Sequence, residues 1–319
     1  MAVFILFKFL ITFILIAGGL LLLALLISWI TYYIAFHSPR KGQNDPYNLP
    51  NSEQYQASRE GMLTLVRELD AVPYEQVYIT SDDGLKLAGR YYHRKDGAPL
   101  DIGFHGYRGT AVRDFCGGSK ISFDEGHNVL LVDQRAQGKS EGHTITFGIM
   151  EQQDCLCWIR YANGRFGENI PITLYGVSMG ASTVLMASEL ELPKNIRCII
   201  ADCPYSTAEA IIRKVCGDMG FPHRLVYPFI KLGARIFGGI RLSEGNAVEA
   251  VKHAKIPILI IHGEEDLFVP CSMSEEVYKA NSEWVERHTF PASGHGLSYV
   301  TDTRRYEEAV KEFIRRYTE

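Results

Sequence analysis

Apolar residues run almost unbroken from Ala2 to Phe36, with Lys8 the only charge among them. Within this run, Leu10–Ile30 is interrupted only by Thr12, Gly18, Gly19 and Ser28. A helix of about 20 apolar residues is what a hydrocarbon core of about 30 Å requires. A secretory signal peptide has a shorter apolar region, about 7–15 residues, closed by small residues. Here the run ends in Trp29-Ile30-Thr31-Tyr32-Tyr33, aromatics suited to a membrane–water interface. Residues 1–36 are therefore expected to form a single-pass transmembrane anchor in the cell membrane.

Beyond the anchor the period changes. Residues 37–72 open with a stretch rich in Pro, Asn and charge (38–56), which reads as a linker. They close with Met62, Leu65, Val66 and Leu69 at helical spacing, which predicts a short amphipathic helix. Residues 73–319 carry the pattern of one α/β domain. Gln76–Thr80 and Leu85–Tyr92, joined by Ser81-Asp82-Asp83-Gly84, predict a hairpin. Strands are then expected at Leu100–His105, Asn128–Asp133, Ile172–Tyr175, Arg197–Asp202, Pro257–His262 and Glu286–Phe290, with helices near 149–161, 182–190 and 302–317. Strands separated by helices imply a mostly parallel sheet with functional residues at the strands' carboxyl ends. Residues 204–250 break this rhythm and are too long for an ordinary connection. Their apolar patches, Ile211, Ile212 and Val215 and then Leu225 to Phe237, predict a helical cap insertion. Because Leu225–Ile240 also carries Lys231 and Arg235, the same stretch reads as membrane-associated, and the two readings are compatible.

Composition narrows the function classes. With 319 residues, 46% hydrophobic residues and 29 glycines the chain is globular, and a net charge of −4 gives no electrostatic case for nucleic-acid binding. The seven cysteines are odd in number, show no paired framework and lack zinc-ligand spacing. Free thiols in a reducing compartment favour a cytoplasmic domain. The basic residues around the anchor nearly balance, Lys8 before it and Arg40 and Lys41 after, so they do not set its orientation. Nothing in the sequence sets an oligomeric state.

The candidate chemistry starts at Gly176-Val177-Ser178-Met179-Gly180, placed between a strand and a helix-forming run. A serine on such a turn projects above the sheet, small residues two before and two after it let strand and helix pass, and the helix N-terminus favours developing negative charge. An activated serine also needs a base and an acid that orients the base. Downstream, one strand runs into His262-Gly263-Glu264-Glu265-Asp266-Leu267-Phe268-Val269-Pro270, and the next into Ser293-Gly294-His295-Gly296. Asp266 and His295 thus follow the carboxyl ends of successive strands. Asp202, at the end of the preceding strand, is the alternative acid.

These blocks resemble the α/β-hydrolase superfamily over residues 73–316. The anchor, Ala136-Gln137-Gly138-Lys139-Ser140-Glu141-Gly142 and Gly296-Leu297-Ser298-Tyr299 resemble membrane-anchored bacterial hydrolases of undefined substrate. The resemblance implies an α/β-hydrolase fold with a cap insertion, Ser178 as nucleophile, His295 as base and Asp266 as acid. It implies an oxyanion hole made by the backbone N–H groups of Met179 and of Tyr107, the latter from His105-Gly106-Tyr107-Arg108-Gly109. Asp133-Gln134-Arg135-Ala136-Gln137-Gly138 resembles a structural loop of the family but has alanine where glycine is usual, a strained residue if that position needs a positive φ. Ser182 reads as packing, His262 as a strand-end residue beneath the acid loop, and His93, His127, His143, His223, His253 and His288 as surface or cap residues. The expected function is ester hydrolysis, lipase- or esterase-like, on a small-molecule or lipid acyl substrate, with no metal and no organic cofactor. The alternatives are a peptidase or amidase, a thioesterase or acyltransferase, and a non-catalytic binding protein.

Overall fold

A computed structural model describes residues 1–38 and 45–318. Residues 39–44, which include Arg40 and Lys41 and open the expected linker, lie outside the described residues. Eight strands form one sheet: β1 (Glu75–Thr80), β2 (Lys86–Tyr92), β3 (Leu100–Phe104), β4 (Asn128–Val132), β5 (Ile172–Val177), β6 (Ile196–Asp202), β7 (Ile258–Gly263) and β8 (Val285–Phe290). Their order is β1-β2-β4-β3-β5-β6-β7-β8. The hairpin edge is antiparallel, β1 to β2 and β2 to β4, and every later pairing is parallel. Strands β3 and β4 are buried along their whole length, as a sheet covered on both faces demands.

Twelve helices surround it among the described residues: α1 (Ala2–Ala35), α2 (Glu53–Gln56), α3 (Arg59–Asp70), α4 (Ala111–Asp124), α5 (Glu151–Phe166), α6 (Met179–Ala187), α7 (Ala208–Asp218), α8 (His223–Phe237), α9 (Ala247–Lys252), α10 (Cys271–Ala280), α11 (Ser298–Thr301) and α12 (Thr303–Thr318). Helices α4 and α10 fill stretches to which the sequence pattern assigns no element; their buried faces, such as Ala111, Val112, Phe115 and Cys116, mix apolar with small and polar residues. Helix α6 starts directly after Ser178 instead of at Ser182; it is buried on every side, so no amphipathic stripe marks where it begins. All seven cysteines are free thiols, six of them buried.

Helix α1 is long and apolar enough to cross a membrane and is a candidate transmembrane span, with mean hydropathy 3.0 over its most apolar window. Its last turns belong to the folded domain. Ser28, Tyr32 and Phe36, spaced at i, i+4 and i+8, are buried, and Tyr32 and Phe36 share a core cluster with Phe147, Met179 and Ile230. Helix α8 packs across α1 at Gly233, where a Cβ would overlap the Ser28 carbonyl. The chain leaving α1 pairs His37 with Thr144, so the helix end is stitched to the loop after β4.

The segment after residue 45 is more than a spacer. Leu49 and Tyr55 are buried in a cluster with Met62 and Leu297, and Val66 and Leu69 of α3 join the core beneath the sheet. The expected linker therefore lies against the domain, carried there by its own apolar residues.

Candidate active site

Ser178 caps α6 at φ 55° and ψ −115°, a backbone conformation that costs a non-glycine residue about 1–3 kcal/mol and persists only where the surroundings enforce it. The surroundings are two glycines. A Cβ on Gly176 would overlap the Gly180 carbonyl group, and one on Gly180 would overlap the Phe104 carbonyl of β3. Strand and helix thus pass at backbone contact, and the serine is forced outward between them. Ala136 likewise adopts φ 61°, so the position does need the left-handed region that its alanine tolerates poorly. Full burial of its methyl offsets part of that cost.

Three side chains from three strand ends meet at this turn. His295 Nε2 lies 3.0 Å from Ser178 Oγ, and His295 Nδ1 lies 2.6 Å from Asp266 Oδ2. The other carboxylate oxygen, Oδ1, accepts the backbone N–H groups of Phe268 at 2.9 Å and Val269 at 2.7 Å. Burial works to raise the Asp266 carboxyl, but the His295 and His262 imidazoles outweigh it and hold the group well below the usual carboxylate range. His262 sits fully buried at the end of β7, its Nε2 2.9 Å from the Val269 carbonyl and 3.3 Å from Asp266 Oδ2, bracing the loop that carries Asp266.

Asp202 is placed elsewhere in the network. Its Oδ2 accepts the Tyr306 hydroxyl at 2.8 Å, and burial raises its carboxyl to about 6. Ser182 is buried, donating to the Tyr205 carbonyl at 3.0 Å and accepting its N–H at 2.9 Å, which makes it a brace for the turn after β6. His127 departs from the surface reading: it is buried 3.1 Å from Asp101, a pairing between β3 and the residue before β4 that no local pattern reveals.

The loop after β3 passes against Ser178, with a Cβ on Gly106 reaching within 3.2 Å of Ser178 Cβ. Gly106 N–H is held by Asp114 Oδ2 at 2.7 Å and Arg108 N–H by Gln137 Oε1 at 2.6 Å. Tyr107 N–H is left as the amide of this turn without an acceptor among the described residues. Met179 N–H belongs to the first turn of α6, where no intrahelical acceptor exists. The Tyr107 ring stacks on Phe147, 5.2 Å between centroids, and its hydroxyl donates to the Ala35 carbonyl of α1 at 2.8 Å. Arg108 Nη2 donates to the Ile34 and His37 carbonyls at 2.9 and 3.0 Å.

Two cavities meet at Ser178. One, of about 610 Å³, is lined by His295, Gly106, Arg113, Asn51, Gln54 and Tyr55 among others. The second, of about 590 Å³, lies on the other side, between α1, α7 and α8, with Ser178, Met179 and Phe147 at its inner end. The contribution of residues 51–55 has no signal in the sequence. Tyr55 donates to the His295 carbonyl at 2.7 Å and Gln54 Oε1 accepts the His295 N–H at 3.2 Å, contacts some 240 residues apart along the chain. Cys203 Sγ lies within 4.8 Å of the Asp266 and His295 donor atoms. However, the 2.6 Å contact between those two is a direct hydrogen bond, closer than two ligands of one ion stand.

A family model described as "alpha/beta hydrolase fold" matches residues 102–252. Among related sequences, YqkD of Bacillus subtilis, an uncharacterised protein, is 26% identical over 195 residues, which cover 61% of this chain and 64% of YqkD. The lysophosphatidylserine lipase ABHD12 of Danio rerio is 24% identical over 228 residues, covering 68% of this chain and 58% of the lipase. The chain thus spans less than two thirds of the length of either relative. Among solved structures, the Pyrococcus furiosus esterase Pf2001 superposes with a TM-score of 0.65 at 24% identity, over 79% of this chain and 94% of the esterase. A family match through the middle of the chain, and a shared sheet over most of its length, make it a protein of the α/β-hydrolase fold.

Proposed function

We propose that the protein is a membrane-tethered serine hydrolase that cleaves carboxylic esters through an acyl-Ser178 intermediate. The observation that carries this reading is the continuous hydrogen-bonded line from Asp266 through His295 to Ser178, ending on a strained serine. His295 Nε2 takes the Ser178 proton as Oγ attacks the ester carbonyl. The Met179 and Tyr107 N–H groups receive the oxyanion, worth about 2.7–4 kcal/mol per donor in comparable sites. Asp266, kept ionised, fixes the Nδ1–H tautomer and stabilises the imidazolium. The proton then passes from His295 to the departing alkoxide, and water repeats the sequence to release the acid. Every step uses groups of the chain and water.

The apolar cavity beside Ser178 suits the acyl chain of the substrate, and the choice of an ester over an amide or thioester rests on the relatives. The Danio rerio relative is named a lysophosphatidylserine lipase and the Pyrococcus furiosus structure an esterase, and both names favour an ester. Tethering is supported by α1, whose last turns pack on α8 in a way that a removable leader has no need of. The test is labelling of the full-length, detergent-solubilised protein with a fluorophosphonate. Stoichiometric labelling that disappears in Ser178→Ala is expected. No labelling, or equal labelling of the variant, refutes the reading.

A further inference from the structure

Helix α1 does more than end at the domain. Ile27, Ile30, Thr31, Ile34 and Ala35 line the apolar cavity, and their spacing, i, i+3, i+4, i+7 and i+8, is one face of a helix. The neighbouring face, Ser28, Tyr32 and Phe36, is the one buried against the domain. One stripe of α1 is therefore packing and the next is cavity wall. The facing wall is Ile211, Ile212 and Val215 of α7 with Val226 and Ile230 of α8.

The two cavities are not equivalent chemically. The leaving oxygen must receive its proton from His295, so the alcohol half of an ester lies on the His295 side, in the cleft that Asn51, Gln54 and Arg113 make partly polar. His295 does not line the apolar cavity, so the acyl half is left to the side walled by α1. The outer end of that cavity is exposed hydrocarbon: Ile30 and Ile34 on α1, Met219 and Phe221 between α7 and α8. Next to it, Leu225, Leu232 and Ile236 form an exposed apolar stripe on α8, flanked by exposed Arg224, Lys231 and Arg235, the composition of a helix lying at a lipid surface. Of α1, residues 27–35 serve the domain and 4–26 remain, about 34 Å at 1.5 Å per residue, enough to span a bilayer core. The cavity mouth then falls where α1 leaves the membrane.

We propose that α1 is a wall of the acyl-binding site, and that a long-chain acyl ester reaches Ser178 sideways from the bilayer, through the gap between α1 and the α7–α8 segment, with its polar alcohol half in the water-facing cleft. This rests on the serine-hydrolase reading and extends it to the substrate class and its route. Each methylene buried in the channel raises kcat/KM up to about fourfold, the equivalent of about 0.8 kcal/mol. From butyryl to decanoyl esters a micelle competes for the same methylenes, so at least tenfold is expected.

The experiment uses the full-length protein in micelles with p-nitrophenyl butyrate and decanoate. Thr31→Trp in α1 and Ile212→Trp in α7 fill the channel from opposite walls, and each is expected to lower the decanoyl-to-butyryl ratio of kcat/KM at least tenfold. Leu22→Trp, on the exposed part of α1 away from the cavity, is expected to leave the ratio alone. Fluorophosphonate labelling confirms that each variant is folded, and the two Trp variants lie on different elements in case one fails to fold. In a second arm, a fluorogenic oleoyl ester placed in the same vesicles as the protein is expected to be cleaved at least tenfold faster than the same ester in separate, protein-free vesicles. If the wild type labels yet both Trp variants keep the wild-type ratio, the channel is overturned while the hydrolase reading stands. Equal rates in the two vesicle arrangements overturn the sideways route. A wild type that fails to label overturns the hydrolase reading itself.

Discussion

Replacing Asp266 by asparagine tests the proposed site at its most determined point. The side chain is pinned: Oδ1 accepts two backbone N–H groups, from Phe268 and Val269, so an asparagine must place its carbonyl oxygen there. Its NH2 group is then forced into the Oδ2 position, 2.6 Å from His295 Nδ1. An NH2 group donates, so Nδ1 must accept, and the imidazole proton moves to Nε2, facing Ser178 Oγ at 3.0 Å. A ring protonated there cannot take the serine proton. The expected loss in kcat/KM is about 10⁴-fold, the size found when the orienting aspartate of a Ser-His-Asp triad becomes asparagine, or about 5.5 kcal/mol of transition-state stabilisation. Asp202→Asn removes a group bonded to Tyr306 and not to His295, and less than a tenfold loss is expected. Hydrolysis of a short p-nitrophenyl ester by both purified variants, with their unfolding temperatures as a check on folding, reads the difference. The reasoning is refuted if Asp266→Asn stays within tenfold of wild type, or if the severe loss appears in Asp202→Asn.

Asp202 makes a separate prediction about pH. Burial raises its carboxyl to about 6, so the folded protein holds that proton more tightly than the unfolded chain, whose value is near 3.9, and stability falls as pH rises through about 4 to 6. Asp202→Asn abolishes this loss, so its stability relative to wild type in urea should improve between about pH 4 and pH 8 by up to roughly 3 kcal/mol; a pH-independent offset refutes it. Ser182→Ala leaves the Tyr205 N–H and carbonyl without their buried partner, and should lower stability by about 1–3 kcal/mol while kcat stays within a few-fold. A hundredfold loss of kcat at unchanged stability would mean that Ser182 takes part in the chemistry.

The parts of this molecule legible in its sequence are those set by local sterics. Gly176 and Gly180 announce the close passage of strand and helix, the strands read from short β-branched runs, and Asp266 and His295 sit where successive strands end. Ala136 is an instructive case, since its departure from glycine flagged a left-handed backbone that the structure contains. What stayed hidden depends on contacts between distant segments. Nothing near Tyr55 foretells its bond to the His295 carbonyl, and nothing near Asp101 foretells His127. Helix α1 hides its packing face for a different reason: with apolar residues on every side, no period separates the face that meets the domain from the exposed ones.

The grip of Tyr107 and Arg108 on the end of α1 bears on how such a protein can change over evolutionary time. A helix terminus has orphan carbonyls, and here those of Ile34 and Ala35, together with that of His37 just beyond, are satisfied by the loop after β3 that passes against Ser178. Residues 4–26 are exposed except at the half-buried Gly18, Ala24 and Leu25, and are free to drift among apolar types, lengthen, or be exchanged for another apolar segment. Residues 27–37 answer to the loop after β3 and are not. An exchange of anchors that cuts at residue 26 keeps the loop in register, whereas a cut at residue 37 releases it. The natural seam between the exposed apolar helix and the folded domain therefore runs inside a helix, about two and a half turns before the helix ends.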